Sequence, residues 1–186
     1  MAKTLISTPL NITTSDTAVS TVDITSGIDS TYPVYEFHFV NIHPASASQF
    51  SFQVDTGTNT NYNQAITSTL FYSWHKEDDS SAGMGYDANN DQTTTAGSGT
   101  YQPFNSENMN TNNDSSLSGI LTLYDPSSST YIKHFTSQSV YFQGDPAQQT
   151  GYIAGYINTT TAITRIQFKM ASGNIDAGTI KMFGVS

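Results

Sequence analysis

Apolar side chains recur at every second position over short runs of this chain, and no window sustains the 3, 4, 7 spacing of a helix. In Val34–Ile42 the residues Tyr35, Phe37 and Phe39 share one side, with Val34, Glu36, His38 and Val40 on the other. His43-Pro44 closes that run, since proline removes a ladder donor. Phe50, Phe52 and Val54 then alternate with Ser51, Gln53 and Asp55, and Leu70, Tyr72 and Trp74 line one side of Thr67–His75. Leu117–Tyr124 and Thr130–Phe135 flank Asp125-Pro126-Ser127-Ser128, which reads as a hairpin or corner turn. Val140–Phe142 and Tyr152–Ile157 follow. In Thr161–Ser186, Ile166, Phe168 and Met170 oppose Arg165, Gln167 and Lys169, a buried face against a wet one. Gly173-Asn174 and Ala177-Gly178 supply the turn, after which Ile180 and Met182 resume the apolar row.

The pattern predicts eight to ten short strands and almost no helix. Such a series, with turn clusters between the strands, predicts an all-β, two-sheet antiparallel sandwich of jelly-roll type with long polar loops. Residues 31–186 are expected as one sandwich domain. Residues 1–30 are Thr/Ser-rich and read as an N-terminal arm or a first strand, with Val22 and Ile24 alternating among polar neighbours. The interval from Lys76 to Leu117 is too long for a plain connector. It is expected to form a surface excursion used for contacts, with small strands near Tyr101–Phe104.

Composition narrows the function classes. Apolar residues make up 36 % and aromatics 12 %, enough for a real core, while only 11 % of residues are charged. The net charge of −9 with six basic residues scattered along the chain argues against nucleic-acid binding and against an anionic membrane surface. There is no cysteine, hence no disulfide or thiolate metal site. The opening MAKTLISTPL lacks the apolar core of a secretory signal, and no apolar run reaches membrane-helix length.

Candidate chemistry is sparse. Asp87, Asn89 and Asp91 reproduce the first half of a calcium-loop spacing, but Gln92 replaces the turn glycine and Ser98 the closing glutamate, so a solvated turn is expected. His38, His43, His75 and His134 show no zinc-like spacing and read as structural or exposed. Glycoside hydrolysis would need two convergent carboxylates, and nothing in the order of Glu36, Glu77 and Glu107 brings a pair together. No nucleophile motif or phosphate loop is present, so no catalytic, cofactor or metal residue is assigned and no enzyme activity is expected. Tyr62, Tyr72, Trp74, Tyr86, Tyr101 and Tyr131 would suit sugar stacking if exposed, and core or interface packing otherwise. The Asn11, Asn113 and Asn158 sequons read as chance in a Thr/Asn-rich chain.

Three segments carry a family resemblance: VYEFHFVNIHPASASQFSFQVDTG, LSGILTLYDPSSSTYIKHFTSQS and INTTTAITRIQFKMASGNIDAGTIKMFGVS. They resemble motifs of a group of tailed-bacteriophage virion proteins common in phages of cyanobacteria, over roughly Val34 to Ser186. The resemblance implies a non-enzymatic particle component, assembled in the bacterial cytoplasm and released by lysis. The expectation is a homotrimeric capsid decoration (cement) protein docking on the major capsid protein or other virion proteins. A tail-fibre or tail-tip component, or a lectin-like module for host-surface glycan, is the alternative. No cofactor, nucleic-acid or membrane partner is expected.

Overall fold

The computed structural model describes residues 2–186, an all-β molecule with no helix among them. Its twelve strands are β1 (Lys3–Ile12), β2 (Val22–Ile24), β3 (Val34–Pro44), β4 (Phe50–Thr56), β5 (Ile66–Lys76), β6 (Ala82–Tyr86), β7 (Gln102–Pro103), β8 (Leu117–Tyr124), β9 (Lys133–Phe142), β10 (Ala147–Ile157), β11 (Ile163–Met170) and β12 (Ile175–Val185). They form two antiparallel sheets, an eight-stranded one in the order β1-β12-β3-β8-β9-β10-β5-β6 and a four-stranded one in the order β2-β11-β4-β7.

The path between the sheets is that of a jelly roll. β1, β12, β3 and β8 lie side by side in one sheet, β2, β11, β4 and β7 in the other, and the steps β1 to β4, β7 to β8 and β11 to β12 each cross between them. Two insertions widen the larger sheet. The β5–β6 hairpin follows β4, the β9–β10 pair follows β8, and together they extend the sheet beyond β8. The four-stranded sheet has no counterpart to this extension.

Strand alternation builds the core. Tyr35, Phe37 and Phe39 of β3 are buried, as are Phe50, Phe52 and Val54 of β4 and Ile166, Phe168 and Met170 of β11. Phe168 lies within 5.3–6.3 Å, centroid to centroid, of Phe39, Phe37, Phe50 and Phe104, so one aromatic cluster joins the two sheets.

Several local expectations change. The N-terminal thirty residues supply β1 and β2, one to each sheet. β1 pairs along β12 through two register shifts, and its Pro9 is tolerated because the strand lies at the sheet edge. The two C-terminal strands, read as a pair around a turn, belong to opposite sheets. The expected Thr130–Phe135 strand begins only at Lys133, and it joins Val140–Phe142 in one strand, β9, whose middle carries Thr136, Ser137 and Gln138. Ser51, Gln53 and Asp55 do not form a wet face. They are buried beneath the loops that follow β4 and precede β7, where Gln53 Nε2 donates to the Gln64 and Thr100 carbonyls and Asp55 accepts from the Tyr62 N–H. The Asp125 turn is present as a β8–β9 connection, with Asp125 at φ 41° and the Ser128 N–H donating to its carbonyl.

Candidate functional site

Two surfaces stand out, both on the widened part of the large sheet. The first is its outer face. Strand pairing aligns His38, Ile120, Gln138, Tyr152, Phe71 and Tyr86 in a single row across β3, β8, β9, β10, β5 and β6. Phe71 and Tyr152 stack with ring centroids 5.1 Å apart and planes at 13°. Ile120, Val140, Phe71, Tyr152, Met84 and Tyr86 are all exposed here. Small residues such as Ser118, Thr122, Thr136 and Ala154 leave a trough of about 650 Å³ between them.

This face carries no formal charge over five strands. β8, β9, β10, β5 and β6 hold only two residues of the Asp, Glu, Lys and Arg set, Lys133 and Lys76. Neither points outward. The Lys133 ammonium is buried under the Tyr131 and Thr159 carbonyls, to which it donates at 3.0 and 3.1 Å. Burial pushes its pKa down, with the Asp125 carboxylate acting in the opposite sense. Lys76 shares the inward side of β5 with Tyr72 and Trp74 and pairs with Asp145 at 2.7 Å. Charge from neighbouring segments meets the face at its margins: the Asp91 carboxylate accepts from the Tyr86 hydroxyl, Asp79 pairs with His75, and at β3 Glu36 accepts from Lys3 Nζ at 2.6 Å and pairs with His38 Nε2 at 2.7 Å. Burial raises the Glu36 pKa, but the hydrogen bonds from His38 and Lys3 outweigh it and the net shift is downward.

The second surface is a cleft of about 490 Å³ on the inward side of β5, where the four-stranded sheet does not reach. Tyr72 and Trp74 line it, with Gln149 of β10, Gln143 and Asp145 of the β9–β10 turn, and Glu107 and Asn108 from the loop after β7. The rings of Tyr72 and Trp74 sit 5.6 Å apart at 34°. A hydrogen-bond chain stiffens the wall: the Ser106 N–H donates to the Tyr141 hydroxyl, which donates to Gln149 Oε1, while Gln149 Nε2 donates to Gln143 Oε1. Burial and lost solvation push the Tyr141 pKa up.

The remaining candidates fall elsewhere. Asp87 is buried and its carboxylate is occupied, accepting from the Asn89 and Asn90 N–H groups, Asn90 Nδ2 and Ser106 Oγ. Asp91 accepts from the Tyr86 hydroxyl. No group of three or more His, Cys, Asp or Glu side chains suited to a metal ion occurs among the described residues. His43 bridges the Asp176 carboxylate and the Asn112 carbonyl, His75 pairs with Asp79 at the surface, and His134 packs edge-on to Tyr156. Neither Glu36 nor Glu77 lines the cleft that Glu107 lines with Asp145. Of the six aromatics singled out, Tyr72 and Trp74 share the cleft, Tyr86 is exposed on β6 and Tyr131 in the β8–β9 turn. Tyr101 lies under Lys169 Nζ, 4.2 Å from its ring centre. Tyr62 is buried; its hydroxyl lies near the Asp23 carboxylate but outside hydrogen-bonding geometry, and burial and that charge push its pKa up. Sequence reasoning did not single out Gln143, Asp145 and Gln149, which only the β10–β5 pairing brings to Trp74.

No family model, curated protein or solved structure matches the chain.

Proposed function

We propose that this chain is a non-enzymatic structural subunit of a bacteriophage particle, acting by self-association and docking as a capsid decoration protein. The observation that carries the reading is the outer face of β8, β9, β10, β5 and β6, strands that point no Asp, Glu, Lys or Arg outward. A molecule of net charge −9 repels its own copies, and a face whose strands point no charged side chain outward lets them meet while burying little charge. The exposed Phe71, Tyr152, Ile120 and Val140 give that contact apolar area. A cyclic trimer matches this arrangement, with the face of one subunit set against a different surface of the next. The segments that resemble phage virion proteins supply β3, β4, β8, β11, β12 and most of β9, so the resemblance extends across both sheets.

Quantitative mass spectrometry of the purified particles is the test. A copy number comparable to that of the major capsid protein is expected. Tens of copies or fewer would move the subunit to the tail, and absence from the particle would overturn the reading.

A further inference from the structure

We infer that the cleft under β5 is a saccharide-binding site, with Trp74 as its stacking platform and Glu107, Asn108 and Gln143 as its hydroxyl-binding groups. The inference is independent of the outer face and of any particle.

The platform is built by two glycines. A Cβ placed on Gly83 would fall 2.6 Å from the Trp74 indole, and one on Gly85 would fall 3.0 Å from the Tyr72 ring. Each aromatic ring is therefore seated directly on the bare backbone of β6, which only glycine permits. The indole N–H donates to Ser81 Oγ at 3.3 Å, which holds the ring in plane. One face of each ring is covered in this way, and the other is what the cleft presents. Tyr72 packs against the margin of the core and Trp74 lies beyond it; both remain partly accessible on a side of the sheet that the four-stranded sheet does not cover.

The polar groups complement that platform. Gln149 is only 3 % exposed and is held on both sides, by Tyr141 and by Gln143. With its oxygen accepting from Gln149, the Gln143 amide presents its N–H donors at the cleft. The Glu107 carboxylate and the Asn108 side-chain amide have no hydrogen-bond partner among the described residues and are exposed on the opposite wall. A pyranose ring has an apolar C–H face that stacks on an indole and peripheral hydroxyls that both donate and accept. Carboxylate and amide groups match such hydroxyls pairwise. The lining carries one carboxylate without a cationic partner, Glu107, which selects against acidic sugars, so the ligand class is a neutral hexose of a polysaccharide. Asp145 is neutralised by Lys76, which leaves Glu107 as the acceptor.

Trp74 is the only tryptophan of the chain, so its emission reports on this cleft alone. The experiment titrates the protein with neutral oligosaccharides (cellohexaose, laminarihexaose, mannohexaose and maltohexaose) and follows tryptophan fluorescence, with calorimetry as the second readout. A saturable emission change at millimolar or lower concentration of at least one of them is expected. The double variant E107A/N108A, both positions exposed, should weaken that binding at least about tenfold, two lost charge-assisted or neutral hydrogen bonds. Tyr131→Ala, in a distant exposed turn, should leave it unchanged. No saturable response to any of the four sugars, or a response that persists in E107A/N108A, would overturn the assignment.

Discussion

Replacing Phe71 by serine tests the contact face directly, because this side chain is held by the sheet yet left open to solvent. Taking roughly 200 Å² for a phenylalanine, the 45 % still exposed leaves about 90 Å² for a partner to cover. At ~25 cal/mol per Å² that area contributes about 2 kcal/mol to each subunit contact, or roughly 30-fold in dissociation constant. In a ring of three every interface contains one such side chain, so closure of the trimer loses the term at each contact. The same substitution also takes from the isolated subunit the roughly 110 Å² of the ring already buried, the stack on Tyr152 included, which at the same coefficient is up to about 3 kcal/mol. Sedimentation equilibrium over a concentration series, paired with urea unfolding at one concentration, separates the two effects. The expected result is a dissociation constant raised by more than an order of magnitude in a variant that still unfolds cooperatively, at a lower midpoint. A wild-type protein that stays monomeric at every concentration, or a variant that associates as tightly as wild type, would refute the reasoning.

Other substitutions probe the scaffold and its charges. Phe168→Ala removes the ring at the centre of the aromatic cluster, and chemical denaturation should register a loss of about 3–5 kcal/mol. Asp87→Ala strips the acceptor from four donors, two of them N–H groups of the chain, and should cost about 2–4 kcal/mol. Hydrogen exchange in that variant should accelerate first at Asn89 and Asn90; unchanged protection there would contradict the assigned role. Glu36 has a folded-state pKa below its ordinary value, so its contribution is complete above the usual glutamate range and is lost as pH falls through the lower folded pKa. Unfolding free energies of wild type and Glu36→Gln should therefore differ at neutral pH and converge under acid conditions; a constant gap would exclude the Lys3–Glu36–His38 cluster as the cause.

Strands with one apolar face were legible in the sequence because a period of two needs no partner to be seen. Tyr35, Phe37 and Phe39 declare β3, and Ile166, Phe168 and Met170 declare β11, before any fold is known. β4 misled in its second face. Ser51, Gln53 and Asp55 look solvated, and only distant loop groups such as the Gln64 and Thr100 carbonyls make their burial affordable in hydrogen bonds. β1 was hidden for the opposite reason: as an edge strand with shifted register it needs no clean alternation, only the β12 ladder beside it. The middle of β9 disappeared among Thr136, Ser137 and Gln138, since its outward face is polar without charge and its inward serines bond to the Ile120 and Phe104 carbonyls. Of the cleft, the sequence announced Tyr72 and Trp74 as alternating aromatics but could not place Gln143, Asp145 and Gln149 beside them.

Both surfaces have one structural origin. In an eight-stranded jelly roll each sheet covers the other, and neither inner face is left for a ligand. Here the β5–β6 and β9–β10 insertions add strands to one sheet only, so the added width has an outer face with no neighbour and an inner face with no opposing sheet. Nearer the core the inner face is filled by Phe104, Phe135 and Leu70 and sealed by the polar loops around Asn90 and Asn105. Towards the far ends of β5 and β10 that filling runs out, and the inward residues become Trp74, Lys76 and Gln149. An aromatic ring left there cannot bury itself in a core, and the glycines of β6 let it lie against backbone instead. The extension thus separates two surfaces on one sheet, an outer face of the kind the proposed contact between copies needs and an aromatic cleft behind it, and a change confined to Phe71 on one side or Glu107 on the other should disturb only one of them.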